Sequence, residues 1–389
     1  MTSADAISGS ENTLAADLVD RLAPGMLVLA DRGFSGFPLW SRAVATGADL
    51  LWRAKPAMQP RVTKILSDGS FLAQLRPSGN AGRKAEPLPI RIVEYTIDDG
   101  RANDETYRLF TTILDPDDVS AIALARRYLS HFPTNAWQAP PGRGGRDTGP
   151  RRLDVLALIP PDPRQPYPIR PVLSELVDDG ELLEVQPGHG SSIVTALAHL
   201  GGRSVAVVAN DPATLAGTID SAAADKAAHF LDVADAFGLP CLFLADNPGV
   251  LAGTAAEGQG ILRHAARLFA VQHRMRVPKL HVTLRKAFGF GSSVMAMNPF
   301  DGQTVTLALP SITLGALPAA SAASAIDDAD ERARVAAEQS EASVRAAARL
   351  SYDDVVDPRD LRDALLSALA LTAGREAGAR RPRGTGILP

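Results

Sequence analysis

The chain alternates short apolar runs with longer stretches in which apolar residues recur every three or four positions, and this rhythm predicts most of its elements. Residues Thr13 to Leu22 carry helical spacing, and Gly25 to Ala30 form a short apolar run that reads as a buried strand, with Asp31 at its C-terminal edge. Ala48 to Ala54, Ile90 to Ile97 and Thr106 to Leu114 have strand-like length and character, and Asp117 to Phe132 returns to helical spacing. This part is predicted to be mixed α/β.

Pro133 to Arg152 interrupts the rhythm. It is rich in Pro, Gly and Arg, has few apolar anchors, and reads as a solvated linker between residues 1–132 and 153–389. Beyond it, strand-like Ser204 to Ala209 precedes helical Asp220 to Phe237, strand-like Pro240 to Ala245 precedes helical Gln259 to His273, and Lys279 to Leu284 follows with strand character. Apolar strands alternating with helices imply crossover connections and a largely covered sheet, an α/β layering. The Ala/Arg/Glu-rich Asp327 to Leu350 favours a helix, and another is predicted from Pro358 to about Ala373, where proline suits a first helical turn.

Composition narrows the class. With 46% apolar and 22% charged residues, the 389-residue chain has the make-up of an ordinary globular protein with a sizeable core, and its length suggests two units. One cysteine, Cys241, cannot form an internal disulfide, so a cytoplasmic setting is expected. Residues 1 to 11 lack the basic and apolar regions of a secretion signal, and no run of 18 apolar residues marks a membrane span. Residues 1–150 hold 17 Lys+Arg and 17 Asp+Glu, and the remainder 23 and 27. Neither part has the basic excess that neutralising nucleic-acid phosphates requires, so DNA is not expected as a partner.

The densest chemical signal is Arg285-Lys286-Ala287-Phe288-Gly289-Phe290-Gly291-Ser292-Ser293, a glycine-punctuated turn between a strand and a helical start. Glycine lets another group's oxygen approach backbone amides closely, and a helical start leaves N–H groups unpaired, which suits a developing oxyanion. Spacing alone leaves open an ordinary strand-to-helix turn. Asp246-Asn247-Pro248-Gly249-Val250 follows another strand end, where ligands of open α/β sheets tend to sit, but could equally be an Asn-Pro-Gly turn. Asn210-Asp211-Pro212 carries the same ambiguity. His264 and His273 point to different helix faces with no Cys or acidic set nearby, so no metal site is expected.

At these residues a resemblance emerges. ELVDDGELLEVQPGHG, GGRSVAVVANDP, LAGTIDSAAADKAAHFLDVADAFGLP, LADNPGVLAGTAAEGQGILRHAARL, VPKLHVTLRKAFGFG and SYDDVVDPRDLR resemble, in order and spacing, the C-terminal domain of carboxyltransferase (beta) subunits of biotin-dependent acyl-CoA carboxylases of the acetyl-/propionyl-CoA type. The resemblance runs from Leu153 to Gly386 and implies a crotonase-like ββα layering for residues 153–389. It also implies carboxyl transfer from carboxybiotin, carried on a biotin carboxyl carrier protein and charged by biotin carboxylase, to an acyl-CoA. The substrates supply their own base, and the protein's part is to hold oxyanions on backbone amides. By that resemblance the biotin set falls on Phe290 and Gly291, with Gly289, Ser292, Ser293, Asn247, Pro248 and Gly249 lining the substrate site. The family commonly has Gly-Gly-Ala where this chain has Gly289-Phe290-Gly291, so Phe290 must point away from biotin. An Asp lining the acyl pocket in many members aligns with Ser293. The family's N-terminal domain, which holds most of the CoA site, is missing, so turnover is expected to need that domain from another chain in a homo- or hetero-oligomer.

The first third has a different resemblance. VLADRGFSGFPLWSRAVATGADLLWRAK, RIVEYTI and ETYRLFTTILDP are similar to the catalytic core of DDE-class insertion-sequence transposases, which implies a partial RNase H-like fragment. In that family three carboxylates hold two divalent metals, and the carboxylate of ADRGFSG falls on Asp31. Its two companions are not identifiable here, so Asp31 reads as a vestige and residues 1–132 as a fragment without nuclease activity. DNA transposition and a non-catalytic carboxylase-associated subunit are the alternative functions.

Overall fold

A computed structural model describes residues 19, 22–24, 27–30, 36–55, 58–77, 86–96, 106–115, 128–133, 138–143, 148–298, 302–316 and 328–376. The chain divides into two compact units, Met1–Arg127 and Tyr128–Pro389.

The first unit is built on a six-stranded sheet. Strand β1 (Leu27–Ala30), helix α1 (Phe37–Ala45) and strand β2 (Asp49–Arg53) form a parallel crossover, with Leu27 opposite Asp49. Strands β3 (Arg61–Ile65), β4 (Phe71–Leu75), β5 (Leu88–Thr96) and β6 (Thr106–Thr111) are antiparallel and complete the order β1-β2-β6-β5-β4-β3. Trp40 of α1 packs edge-on to Trp52 and Phe110, with ring centroids 5.0 and 6.4 Å apart. The opposite edge is different: every residue of β3 is exposed. Arg91, fully buried, donates from Nε to Ser70 Oγ (2.7 Å) and pairs with Asp68. Burial raises the Asp68 carboxyl, but the Ser70 hydroxyl and amide and the Arg91 guanidinium outweigh it and hold the group below its usual range.

In the second unit, helix α2 (Arg170–Leu176) leads to strand β7 (Leu183–Glu184), and β8 (Ile193–Leu200) and β9 (Arg203–Asn210) form a hairpin. Gly201 and Gly202, at φ +61° and +75°, supply the two left-handed residues that a tight hairpin turn with right-handed strand twist demands. Their amides donate to the two oxygens of Asp178 at 3.0 and 2.6 Å. Helix α3 (Ser221–Phe237) starts where Asp220 accepts from Ala223 N at 2.7 Å and stops at Gly238, φ +75°. Strand β10 (Cys241–Asn247), helices α4 (Thr254–Gly258) and α5 (Ile261–Arg274), strand β11 (Lys279–Phe288), helix α6 (Gly289–Val294) and strands β12 (Val305–Ala308) and β13 (Thr313–Gly315) follow. Helices α7 (Ala329–Ser340) and α8 (Ala342–Ala348), strand β14 (Asp354–Val355) and helix α9 (Leu361–Glu376) close the unit. The sheet order is β14-β12-β11-β10-β9-β8-β7, with β13 beside β11, and every pair from β9 to β14 is parallel.

Alternate residues of these strands enter two different cores. Val205, Val207, Leu242, Leu244, Leu280 and Val282 face α2 and α9, while Ala206, Val208, Cys241 and Phe243 face α3 and α5. That two-sided burial explains why the strands read as unbroken apolar runs. It also fixes Cys241, which is fully buried with its thiol pushed well above the ordinary range by desolvation.

Several expectations change in detail. The segment 133–152 is not wholly solvated: Arg143 N donates to Gly202 O (2.6 Å), Ser204 Oγ to Pro141 O (3.0 Å), and Arg151 N to Asp363 Oδ1 (3.0 Å). Tyr128 and Phe132, expected at the end of the upstream part, pack in the second unit, with the Phe132 ring 5.1 Å from Phe237. The single helix expected over Asp327 to Leu350 is two helices meeting at Glu341, and β3, β4 and β8 were not anticipated. The helices expected at Thr13–Leu22 and Asp117–Phe132 lie largely outside the described residues, as does Asp31.

Candidate active site

Strands β9, β10 and β11 are mutually parallel, so their C-terminal ends, Asn210, Asn247 and Phe288, open on one edge of the sheet. Ligand sites of open α/β sheets form at such edges. The loops that leave this edge are laced together. Ile219 N donates to Gly249 O (3.1 Å) and Leu251 N to Ile219 O (2.9 Å), joining the loop after β9 to the turn after β10. Leu215 and Ala216 hold positive φ (+50° and +55°), strain that persists only where surrounding contacts over-determine the backbone. A Cβ on the adjoining Gly217 would lie 2.2 Å from Asp246 O.

The two segments singled out in the sequence meet here. A Cβ on Gly291 would lie 2.2 Å from Asn247 Oδ1 and 2.6 Å from Gly249 Cα, so the first turn of α6 rests directly on the Asn247-Pro248-Gly249 turn. Only glycine fits. Gly289, at φ +53°, turns the chain from β11 into α6, and its own Cβ would meet Ala316 O at 2.9 Å. Among the described residues, the backbone amides of Phe290 and Gly291 have no hydrogen-bond acceptor, as befits the opening turn of a helix. The Phe290 side chain is turned onto α5, its ring 5.7 Å from Phe269, and so leaves the amides uncovered by its own bulk. Ser292 Oγ donates to Gly289 O (2.7 Å) and Gln272 Nε2 to Ser293 O (3.2 Å), which fixes the rest of the short helix.

Beneath the turn lies a charged cluster that the sequence reading did not pick out. Asp246 is fully buried; its Oδ2 accepts from Tyr167 Oη (2.9 Å) and Arg285 Nε (2.8 Å), and its Oδ1 faces Lys286 Nζ at 3.6 Å. Arg285 Nη1 donates to the carbonyls of Pro160, Asp162 and Gln165 at 2.8 to 3.1 Å, and its guanidinium lies 4.4 Å from the Tyr167 ring centroid. Burial, with the Asp246 carboxylate beside it, holds the Tyr167 phenol well above its usual range; burial lowers Lys286 despite Asp246. The one clue in the sequence was a charge at the end of each apolar strand.

At the far end of α6, His281 is buried between Met295 O (Nδ1, 2.8 Å) and Thr283 Oγ1 (Nε2, 2.8 Å), and Thr283 Oγ1 lies 2.8 Å from Tyr352 Oη. The carbonyl must accept, so Nδ1 carries the proton and Nε2 accepts from the threonine. Desolvation pulls this imidazole down to about 4 although the Met295 bond opposes it. His264 pairs with Asp225 (2.7 Å), and His273 stacks on Phe269. Among the described residues, no group of three or more His, Cys, Asp or Glu could hold a metal ion, and no helix is long and apolar enough to cross a membrane.

A mostly parallel sheet covered by helices on both faces, with a glycine turn stacked on a second turn at its strand ends, defines the second unit as a crotonase-like α/β layer. Comparison with known proteins then places it: the chain belongs to the carboxyl transferase domain family, which matches residues 110–384 and so begins upstream of the expected Leu153. It is 36% identical over 270 residues to the methylmalonyl-CoA carboxyltransferase 12S subunit of Propionibacterium freudenreichii subsp. shermanii, covering 66% of this chain and 51% of that one. It is 37% identical over 219 residues to the propionyl-CoA carboxylase beta chain of Saccharopolyspora erythraea, covering 54% and 40%. A crystal structure of transcarboxylase 12S, a hexamer with hydrolysed methylmalonyl-coenzyme A bound, superposes with a TM-score of 0.62 at 35% identity, covering 68% of this chain and 53% of that one. The chain thus spans about half the length of these relatives.

Proposed function

We propose that this chain supplies the biotin-facing half of a carboxyltransferase site, in which a carboxyl group passes from carboxybiotin to an acyl-CoA. The reading is carried by two backbone amides, Phe290 and Gly291, that make no hydrogen bond among the described residues and sit at the end of a parallel strand beside a second turn. When bound, biotin would supply the carboxyl group and a ureido oxygen on which negative charge develops. The amides of Phe290 and Gly291 would hold that oxygen, a contribution of about 3 to 4 kcal/mol per donor in comparable sites. Gly289 gives them their direction, Asn247, Pro248 and Gly249 support them from below, and Ser292 and Ser293 line the approach. No acidic or basic side chain of the chain is needed as proton carrier.

The acceptor acyl-CoA is of the propionyl or acetyl class, with methylmalonyl-CoA as the carboxylated partner of propionyl-CoA, by analogy with the names of relatives, among them a biotin-dependent acetyl-/propionyl-coenzyme A carboxylase beta5 subunit. With about half of the relatives' length, the chain is read as requiring an N-terminal carboxyltransferase half from another subunit, within a cytoplasmic oligomer that meets a biotin carboxyl carrier protein. The first unit is read as a DDE-transposase remnant, supported by its β1-α1-β2 parallel crossover, whose first strand ends at Ala30, next in sequence to Asp31.

The test is to incubate the full chain with carboxybiotinylated carrier protein and propionyl- or acetyl-CoA, or, for the reverse transfer, with uncarboxylated biotinylated carrier protein and methylmalonyl-CoA as the carboxyl donor, with and without a separate N-terminal half. Transfer is expected only with the added half. Turnover by the chain alone would overturn its incompleteness, and none under either condition would overturn the biotin site.

A further inference from the structure

We propose that Asn210 is a positioning residue that sets the height of the Asn247–Gly249 turn beneath the amides of Phe290 and Gly291, so that two asparagines act as one rigid strut from β9 to α6. The inference rests on the reading of those amides as the ureido site. Asn210 is fully buried at the last position of β9, and its side chain bonds at both ends. Oδ1 accepts from Asp246 N (3.2 Å) and from Asn247 Nδ2 (3.0 Å), while Nδ2 donates to Gly217 O (3.3 Å). Asn247 passes the constraint on: its Oδ1 accepts from Gly249 N (3.1 Å) and lies against Gly291, where even a methyl group would not fit.

Each amide can adopt only one orientation. Flipping Asn210 would turn its NH₂ toward the Asp246 amide and the Asn247 NH₂, three donors facing one another, and its oxygen toward the Gly217 carbonyl. The strut therefore joins the ends of β9 and β10, the 215–217 turn and the start of α6 without any mobile charge. β10 shifts register against β11 between Ala245 and Asn247, so the sheet ladder is interrupted just where the turn leaves it and the asparagine pair takes over the alignment.

The experiment uses the full chain labelled with ¹⁵N-glycine and ¹⁵N-phenylalanine, titrated with free biotin, as wild type and as Asn210→Asp and Asn210→Ser. Asp keeps the one oxygen that accepts both bonds but sets its other oxygen against the Gly217 carbonyl; Ser is too short to span the gap. In the ligand-free spectra, the Gly217, Gly249 and Gly291 amides are expected to move in both variants while Phe230 and Phe243, in the packed interior, stay in place. Biotin is expected to shift Phe290 and Gly291 in the wild type, and to need roughly five- to tenfold more ligand in the variants, the scale of one or two lost hydrogen bonds. Unmoved Gly249 and Gly291 amides, or unchanged biotin response in both variants, would overturn the strut. If wild-type Phe290 and Gly291 ignore biotin, the ureido site fails, while the ligand-free shifts still decide the strut separately. Failure of both variants to fold would make Asn210 a folding residue and also overturn the inference.

Discussion

The two units bury their sheets in different ways, and the contrast explains where chemistry can be built. The first unit has one main core, gathered around Trp40 and Trp52, and leaves its β3 edge fully exposed. The second sandwiches its sheet between two cores, so its polar groups gather at the strand ends, where Asn210, Asp246 and Asn247 are themselves fully buried. A partner lost in such surroundings is not replaced by water, which makes the bonds these groups do form rigid and intolerant of change.

The sharpest test of that contrast removes one carboxylate from each unit. Asp246→Ala strands Arg285 and Lys286 and is expected to cost about 3 to 5 kcal/mol by chemical denaturation. Asp68→Ala should cost less, because Asp68 is 24% exposed and Arg91 retains Ser70 and the Asp115 carbonyl. Equal losses would remove the distinction between the two kinds of burial.

A pair of glycines comes next. Gly291→Ala drives a methyl group into Asn247 and Gly249 and is expected to lower carboxyl transfer, measured with an N-terminal half supplied, by about 100-fold or more. Gly69→Ala, at φ +81° in the β3–β4 hairpin with nothing within 4 Å, should cost about 1 to 2 kcal/mol of stability and leave transfer intact.

The pH response separates the units again. His281 is neutral in the fold, its value lowered from 6.5 to about 4, so its contribution is complete above pH 6.5 and is lost as pH falls toward 4. The loss amounts to about 3 kcal/mol, because the unfolded chain takes up the proton first. In the first unit Asp68 is lowered below 3.8, so its contribution goes only at more acidic pH. Hydrogen exchange between pH 7 and 4 should loosen the second unit first, and His281→Gln should flatten that slope. The smallest effect is expected at the bare edge: Ile65→Lys, at a residue 68% exposed, should change stability by no more than ~0.5 kcal/mol while reducing aggregation.

Much of the second unit was legible because β9, β10 and β11 are continuous apolar runs bounded by helix caps such as Asp220 and Gly238. Strand β8 was missed although Gly201-Gly202 marked its hairpin, since Thr195 and His199 break the apolar run of Ile193 to Leu200. In the first unit, β3 is exposed along its whole length and carries no buried periodicity to read. The candidate site was legible as two glycine-punctuated segments, but their stacking was not. Asn210 meets Asp246 and Asn247 across 36 and 37 residues, and Tyr167 meets Asp246 across 79, distances over which local pattern carries no information.

The chain's lone thiol, sealed inside the sheet at Cys241, is silent toward maleimides while the protein is folded. A cysteine placed at exposed Leu262 would then be the only handle for a fluorophore or cross-linker, and any second labelling event would count molecules whose sheet had opened.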